Sequence, residues 1–354
     1  MPDKFTPRIS IAGHEHTDWL QYRIDSDLKT PADAWEMSLG VPLGALPAYV
    51  QPWAQVEVRL GDTLVLTGRI DSLSRRLSKK EWVLDIAGRD LAAVLLDCSA
   101  PIFVQRKASL AEVCASCVRP LGIEKISIQG GGSFKKITVE PGMSAWDALQ
   151  EAAEASGLWA WFAADGTLIV GKPDYHAPVI AELLLPAAGD TKAKSNVLEL
   201  AITESCERTY SEITVLGQSS GDEENEGDNV VRHKLKHPSA QYHRPLIRVE
   251  GTADDSAMAN RQAQKLMDEG IMESCIITAR VQGHTTEKGV LWECGQRVRV
   301  KAAPLGIDRD MLLMRRTFQG GRAGNSTTLT LKPWGVWLAK TEKKQAAMPD
   351  EEEE

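Results

Sequence analysis

The stretch QVEVRLGDTLVLTGRI, residues 55–70, carries the pattern that decides the fold. Alternate residues such as Val56 and Val58 fall on one face of a strand, because successive side chains point to opposite faces. The dipeptide GD that follows is a turn signal, and an aliphatic strand comes directly after it. A third strand, WVLDIAG, follows at residues 82–88. Short alternating strands joined by short turns predict an antiparallel β-meander.

A second stretch near the other end of the chain repeats this plan. RVRVK (297–301) alternates in the same way, and it is followed by MLLMRRTF (311–318) and TTLTLKP (327–333). We interpret the two stretches as a weak duplication of one β domain. Any two meanders share such a pattern, so a chance likeness is the open alternative.

Two helix–strand units are predicted between the meanders. Ser109 has Glu112 three residues later, and Ser144 has Asp147, which is the capping pattern of a helix start. A glycine follows each predicted helix, where a left-handed residue ends the helical hydrogen-bonding pattern: Gly122 and Gly157.

A tryptophan-rich hairpin and a further helix complete the predicted elements. LWAWF (158–162), the turn Asp165-Gly166 and the strand TLIV form the hairpin. Both faces of its first strand are apolar, so core packing of Trp159 and Trp161 is favoured over a platform that stacks a cofactor. The further helix is predicted from about Asp255 to Glu269, ended by Gly270.

Composition places the chain among soluble globular proteins of two or three domains. It has 354 residues and a net charge of -8, from 41 basic and 49 acidic residues. This balance argues against a protein whose main task is to hold nucleic acid. No apolar segment is long enough for a membrane span, and the start lacks the apolar core of a signal peptide. We expect a cytoplasmic protein when it is made, with six scattered cysteines as buried thiols.

Two motifs suggest chemistry but lack the context it needs. GQSSG (217–221) matches the G-x-S-x-G nucleophile elbow, yet the acidic segment DEENEGD follows where a helix is required. Cys114 and Cys117 form a CxxC without a second pair for zinc. Both cysteines lie on the apolar stripe of the predicted helix, so we expect them to be buried.

Other candidate sites are equally weak. The pairs His14/His16 and His233/His237 have ligand-like spacing. His14-Glu15-His16 lies in a strand-like N-terminal stretch, and RHKLKHP (232–238) has no carboxylate in helical phase, so solvated or hydrogen-bonded histidines are favoured. The glycines at 130–132 lack the Gly-Lys-Ser/Thr of a phosphate-binding loop. We therefore predict no catalytic residue, no cofactor-binding residue and no metal ligand.

Five stretches together resemble one known family. In chain order they are TGRID (67–71), GRDLAAVLLDCSAP (88–101), VEPGMSAWDALQEAAEASGLWAWFAADGTLIVG (139–171), GVLWECGQRVRV (289–300) and LLMRRTFQGGRAGNSTTLTLKP (312–333). The order resembles the baseplate hub proteins of Mu-like contractile-tailed phages, which are similar to the N-terminal part of the type VI secretion spike protein VgrG.

The resemblance implies an α+β, mostly β fold with two tube-protein-like antiparallel β-barrel domains flanking a small α/β domain. The expected boundaries are 1–98 for the first barrel, 99–175 for the α/β domain, 176–334 for the second barrel with one helix, and 335–354 for a flexible acidic tail. It also implies a homotrimer in the virion baseplate, assembled in the host cytoplasm, that adapts a central spike to a sixfold tail tube. Piercing and wall digestion would belong to other proteins, and no membrane span is expected.

Two rival functions remain at this point. A tail-associated cell-wall hydrolase would need paired carboxylates in a cleft, or an exposed Ser219 or Ser220. A glycan-binding module would need an exposed Trp159 or Trp161. The negative net charge further predicts no specific nucleic-acid binding and, if the protein is a hub, a neutral or acidic lumen.

Overall fold

The structure is a computed structural model that describes residues 6–17, 19–40, 47–77, 79, 82–130, 133–190, 194–218, 230–237, 240–249, 256–321 and 324–336. The GQSSG serines, the acidic segment at 222–226 and the tail from 337 onward lie outside the described residues.

Strands are the predominant secondary structure of the described chain and far outweigh the helices, in agreement with the predicted mostly β fold. The first twelve strands are β1 (Pro7–Ile11), β2 (His14–His16), β3 (Gln21–Asp27), β4 (Ala34–Gly40), β5 (Gln55–Leu60), β6 (Thr63–Leu77), β7 (Trp82–Asp90), β8 (Val104–Ser109), β9 (Ile126–Ile128), β10 (Ser133–Thr138), β11 (Trp159–Phe162) and β12 (Leu168–Gly171). The remaining strands are β13 (Val179–Leu185), β14 (Glu199–Glu204), β15 (Glu212–Gln218), β16 (Val230–Lys236), β17 (Pro245–Val249), β18 (Cys275–Gln282), β19 (Arg297–Ala302), β20 (Ile307–Gly321) and β21 (Gly324–Pro333).

The helices are α1 (Ala92–Asp97), α2 (Leu110–Val118), α3 (Ala145–Ala155) and α4 (Ser256–Glu273). Serine caps begin the two helices predicted from capping patterns. The Ser109 and Glu112 side chains form a reciprocal capping box, and the Ser144 side chain accepts a hydrogen bond from the Asp147 amide at 3.0 Å. Gly122 and Gly157 adopt left-handed φ angles of 83° and 71°, as a helix-ending glycine requires.

Thirteen strands form one continuous sheet. The first half of this sheet contains β1–β7, and the second half contains β13, β14 and β18–β21. The two halves are joined where β3 pairs with β20 in antiparallel orientation. Among the described strands the path of the sheet runs from β14 to β2 without closing on itself.

The two halves repeat each other strand by strand. The order β5-β6-β7-β4-β3 in the first half matches the order β19-β20-β21-β18-β14 in the second. The register of the long middle strand shifts directly after Ile70 in one half and directly after Leu313 in the other. The predicted duplication is therefore present in the tertiary structure. The repeat ends at the flank, where β1 is antiparallel to β5 but β13 is parallel to β19.

The two halves also share a backbone hydrogen bond at this register shift. The Trp53 amide donates to the Ile70 carbonyl at 2.8 Å, and the Gly295 amide donates to the Leu313 carbonyl at 2.8 Å. Both donors adopt a left-handed conformation, with φ of 72° at Trp53 and 92° at Gly295. A tryptophan therefore occupies a backbone position that favours glycine.

Two segments are inserted into this repeated framework. The middle domain, α1 to β12, lies between the two halves and has its own apolar core around Cys114, Trp146 and Leu149. The outer insert comprises β15–β17 and α4, and it lies between β14 and β18. Its three strands form a separate sheet that packs on α4 through Val215 and Ala263. This segment falls inside the range 176–334 expected for the second barrel.

The end of α4 differs from the sequence prediction. Gly270 lies inside this helix, which continues to Glu273, so it does not end the helix as predicted. A Cβ atom at Gly270 would lie 2.3 Å from the Arg208 carbonyl oxygen. Close packing of a neighbouring backbone, and not a left-handed turn, explains this glycine.

Candidate assembly surface

The joint between the two halves is a pair of strands that are distant in sequence. Ile24 of β3 lies opposite Phe318 of β20, and both side chains are fully buried. Tyr22 of β3 also reaches across, and its hydroxyl lies 2.6 Å from the His284 Nε2 atom. The joint therefore belongs to the hydrophobic core and is not a surface contact.

A polar cluster covers the other face of the joint. The Asp25 Oδ2 atom accepts hydrogen bonds from Arg315 at 2.7 Å and from Arg23 at 3.0 Å. The Thr317 hydroxyl donates to the other carboxylate oxygen. Burial raises the pKa of Asp25, but the hydrogen bonds from Thr317, Arg315 and Arg23 outweigh it and leave the pKa lowered. Asp25 is thus an ionised anchor between the two halves.

A cavity of about 230 Å³ lies where the two halves meet the middle domain. Asp33 and Asp90 contribute carboxylates to its wall, and Arg316 and Trp161 also line it. Burial raises the pKa of Asp33 to about 6, and burial together with the Asp33 charge raises the pKa of Asp90. Arg316 is buried and stacks over Phe318, with its guanidinium carbon 4.1 Å from the ring centroid. Two acids and one buried base fit a structural charge cluster at this junction.

Glu269 of α4 fixes the outer insert against the other parts of the chain. Its carboxylate lies 3.1 Å from Lys29 of the first half and 3.1 Å from Lys265. It also accepts a hydrogen bond from the Trp159 indole at 3.3 Å, and Lys265 lies 3.2 Å from Glu154 of α3. Burial raises the pKa of Glu269, but Lys265 and Lys29 outweigh it, so the pKa is lowered. One carboxylate therefore connects three parts of the fold.

A wide groove of about 1310 Å³ is lined by residues of the main sheet. Strands of both halves line it, including the C-terminal end of β6, and so does Leu198, which directly precedes β14. Its charged lining residues are Arg23, Glu36, Arg75, Arg76, Asp85 and Arg280. Four arginines face two carboxylates, so this surface is mildly basic, in contrast to the overall acidic chain.

The hairpin tryptophans and the cysteine pair of α2 lie where the sequence predicted. The expectation that all six cysteines are buried is wrong, because Cys206 is exposed and Cys98 and Cys294 are only half-buried. Trp159 and Leu168 belong to the predicted hairpin of β11 and β12, and Trp159 is buried while Trp161 is half-buried. Cys114 and Cys117 are fully buried in the core of the middle domain. Burial raises the pKa of each thiol to about 12, which keeps both protonated at neutral pH.

The structure places the two histidine pairs in different surroundings. His14 stacks on the Tyr49 ring with centroids 4.1 Å apart, and His16 lies beside the same ring. His233 lies in β16 opposite Val215, and the His237 amide donates to the Ser211 carbonyl at 2.9 Å. Within the described residues, no three His, Cys, Asp or Glu side chains are grouped closely enough to hold a metal ion. None of the described helices is both long and apolar enough to cross a membrane.

Comparison with known domain families assigns most of the chain. Residues 8–90 match the Mu phage baseplate assembly protein GpP-like N-terminal domain, and residues 92–172 match the second domain of baseplate hub protein gp44-like proteins. Residues 209–267 match the third domain of tail protein NMB1110-like proteins, and residues 269–336 match a tail protein C-terminal domain. The third match coincides with the outer insert, and none of the four descriptions is of a catalytic family.

Whole-chain comparisons agree with these domains. Baseplate hub protein gp44 of Escherichia phage Mu is 24% identical over 351 residues, which cover 95% of this chain and 90% of that protein. The tail protein from Neisseria meningitidis MC58 is 31% identical, with a TM-score of 0.80 over 95% of this chain and 98% of that one. The E. coli c3393 protein, a component of the type VI secretion system, shares the fold at 13% identity, with a TM-score of 0.59 over 92% of this chain and 76% of that one.

The repeated β halves, the two inserts and these matches define a structural tail protein of a phage. The chain belongs to the family of Mu-like baseplate hub and tail proteins. The family resemblance inferred from the sequence is thereby confirmed, including its relation at the level of the fold to a type VI secretion component.

Proposed function

We propose that the chain forms a homotrimeric hub in the virion baseplate that adapts a threefold central spike to a sixfold tail tube. The observation that carries this proposal is the strand-by-strand repeat of the two halves, down to the matched register shifts after Ile70 and Leu313. Three copies would present six similar β units around one axis. Such a ring would serve tail assembly and genome ejection, with the spike and tube proteins as its partners.

The domain boundaries of this hub follow the predicted scheme with one refinement. We propose 1–98 as the first β domain, 99–175 as the α/β domain and 176–334 as the second β domain. The outer insert, which includes residues 209–267, interrupts the second β domain between β14 and β18.

The wide groove lined by both halves of the sheet is our candidate for the wall of the central channel. Its arginines outnumber its carboxylates, so the neutral or acidic lumen expected from net charge does not agree with this surface if it lines the axis. We expect weak, sequence-independent contacts with passing DNA, because such contacts would involve phosphates and not base edges. A filter-binding assay at increasing salt tests this, and tight binding that persists at high salt would contradict it.

Light scattering tests the trimer directly. Each chain has a mass of 38.8 kDa, and the expected species has three times that mass. A monomer across a wide concentration range would overturn the proposal. Electron-microscopy averages viewed along the axis should show six similar lobes, whereas three lobes would contradict the equivalence of the two halves in the assembly.

The rival functions have less support from the described residues. A glycan-binding platform on the hairpin needs exposed rings, but Trp159 is buried against α4. A hydrolase needs an open site with paired acids, whereas Asp33 and Asp90 line a cavity at a junction between domains. A turbidity assay on purified cell walls tests the hydrolase, and lysis by the purified protein would favour it over the hub.

A further inference from the structure

The face of the outer insert that points away from α4 carries a row of basic side chains. On β16 the side chains of Arg232, Lys234 and Lys236 are exposed, and we call them the basic stripe. Val231 and Leu235, which alternate with them, pack against the core shared with α4. The strands β15, β16 and β17 together contain four basic residues and one acidic residue, although the whole chain has a net charge of -8. This face is therefore a local basic surface on an acidic protein.

An apolar stripe lies on the same face, on β17. It consists of Ile247 and Val249, which are 67% and 72% exposed although both are aliphatic. Ile247 lies opposite Thr214 of β15, and Thr214 lies opposite Lys234 of β16, so the two stripes share one face with β15 between them. Neighbouring strands lie about 4.8 Å apart, which separates the basic stripe from the apolar stripe by about 9.6 Å.

The insert sheet supplies one carboxylate for these cations. The Glu212 carboxylate lies 2.8 Å from the Lys234 Nζ atom. The hydrogen bond from Lys234, together with the charges of Lys236 and His243, lowers the pKa of Glu212. Glu212 is the only acidic residue on the three strands, so Arg232 and Lys236 have no matched carboxylate of their own on this sheet. The surface therefore suits an occupant that brings several negative charges.

The chain itself contains a segment with the complementary pattern. AAMP at residues 346–349 is apolar, and DEEEE at residues 350–354 is a run of consecutive acids. An extended chain advances about 3.3 Å per residue, so three residues span about 10 Å. Met348 and Glu351 are three residues apart, which matches the separation of the two stripes. A chain that crosses the strands can therefore place Met348 on Ile247 and its acids on the basic stripe.

The point at which this segment leaves the fold brings the insert within its reach. Lys332 of β21 lies 2.6 Å from Glu273, the last residue of α4. The helix has 18 residues and is about 27 Å long. Residues 337–349 can span about 43 Å when extended. This exceeds the length of the helix, so residues 350–354 can reach the outer face of the sheet that packs on α4.

We propose that residues 346–354 dock across this face of the outer insert in the same copy of the chain, with Met348 on the apolar stripe and the acids at 350–354 on the basic stripe. The contact is independent of the proposed trimer, because both sides of it belong to one chain. It covers the exposed aliphatic side chains of β17 and neutralises the cations of β16. Attraction between exposed charges is screened by salt, so docking weakens as ionic strength rises.

Carbodiimide coupling in the full chain, followed by peptide mapping, tests the contact directly. The reagent joins an amine to a carboxylate where the two groups are in contact. We expect Lys236 to be joined to residues 350–354 in a product that keeps the mass of one chain. Lys288 is the matched control, because it is exposed but lies outside the outer insert. Its coupling to the same residues should be at least tenfold lower. Equal coupling at Lys288 and Lys236, or coupling mainly between chains, would overturn the proposal.

A binding measurement provides the second test and uses a full-length variant with an uncharged tail. This amide-tail variant carries Asp350→Asn, Glu351→Gln, Glu352→Gln, Glu353→Gln and Glu354→Gln. The probe is the fluorescently labelled peptide QAAMPDEEEE, and its anisotropy reports binding. We expect the peptide to bind the amide-tail variant at least tenfold more tightly than the unmodified protein. In the unmodified protein the tethered segment competes at a high effective concentration.

Substitutions on the face identify where the peptide binds. Adding Arg232→Gln, Lys234→Gln and Lys236→Gln to the amide-tail variant should weaken peptide binding at least tenfold, and adding Lys288→Gln should leave it unchanged. Raising the salt concentration should weaken binding in every variant that binds. Equal affinity of the unmodified and amide-tail proteins, or no binding to either, would show that the segment does not occupy this face.

Discussion

The Asp25 carboxylate of β3 lies 2.7 Å from the Arg315 guanidinium of β20, although the two residues are 290 positions apart in the chain. This contact lies at the joint that makes one sheet out of two repeated halves. Arg23 and Thr317 complete the cluster around the same carboxylate.

Replacing Asp25 with alanine should lower the free energy of unfolding by about 1.5–3 kcal/mol at pH 7, because charged hydrogen bonds are lost. The pKa of Asp25 is lowered in the folded protein, so this stabilisation is present above the unfolded-state pKa. It is lost as the pH falls through the lower folded-state value. Urea unfolding at several pH values measures this. Asp62→Ala is the control, since the Asp62 side chain is 98% exposed and should contribute almost nothing.

Replacing Asp33 with asparagine should change the pH dependence of stability in the opposite sense. The pKa of Asp33 is raised from 3.8 to about 6, so the folded state holds its proton more tightly than the unfolded chain. The stability that follows is fully present below about pH 4 and is lost as the pH rises through about 6. Asp90, Asp27 and Arg316 are the charged groups that act on Asp33.

The Asp33→Asn variant lacks this loss. Between pH 4 and pH 7 the free energy of unfolding of the wild-type protein should therefore fall by up to about 3 kcal/mol relative to that of the variant. Denaturant unfolding of both proteins across that range is the measurement. Parallel stability curves for the two proteins would contradict the raised pKa.

Replacing Trp53 with glycine should stabilise the protein by about 1 kcal/mol. Trp53 has a φ of 72°, and its counterpart Gly295 adopts 92° without steric cost. The side chain of Trp53 is 82% exposed, so little burial is lost with it. Thermal unfolding is the readout, and Trp53→Ala serves as the control because it keeps the strain. Equal stability of the two variants would argue against strain at this position.

Replacing Trp146 with alanine should cost about 3–5 kcal/mol. Trp146 is 3% exposed in the core of the middle domain, and its indole donates to the Gln150 side chain at 2.9 Å. Tyr242→Ala is the control, since Tyr242 is 74% exposed. Urea unfolding compares the two. Strong acrylamide quenching of all tryptophan fluorescence in the native protein would conflict with the burial of Trp146 and Trp159.

Replacing both Cys114 and Cys117 with alanine should cost a few kcal/mol at most, as the loss of two small buried groups. Burial raises the pKa of each thiol to about 12, so a disulfide reagent at pH 8 should first modify the exposed Cys206. Stoichiometric zinc in the purified protein that disappears with the double substitution would contradict this role.

The sequence pattern was sufficient to predict those elements whose structure depends on neighbouring residues. The alternation in QVEVRL, the serine caps at 109 and 144, and the turn at Asp165-Gly166 each depend on neighbours within a few residues, and each element formed where predicted. The likeness of the two meanders was also visible as a pattern. The same local reasoning failed at Gly270, because the atom that excludes a side chain there belongs to Arg208, far away in sequence.

The sequence by itself determined the β character of the chain, its two related ends and the burial of Cys114 and Trp146, because periodicity reports which face of an element avoids water. Only the tertiary structure decided that β3 pairs with β20 and that Asp25 meets Arg315. Strand partners are chosen by long-range packing and register, and no window of neighbouring residues contains that information.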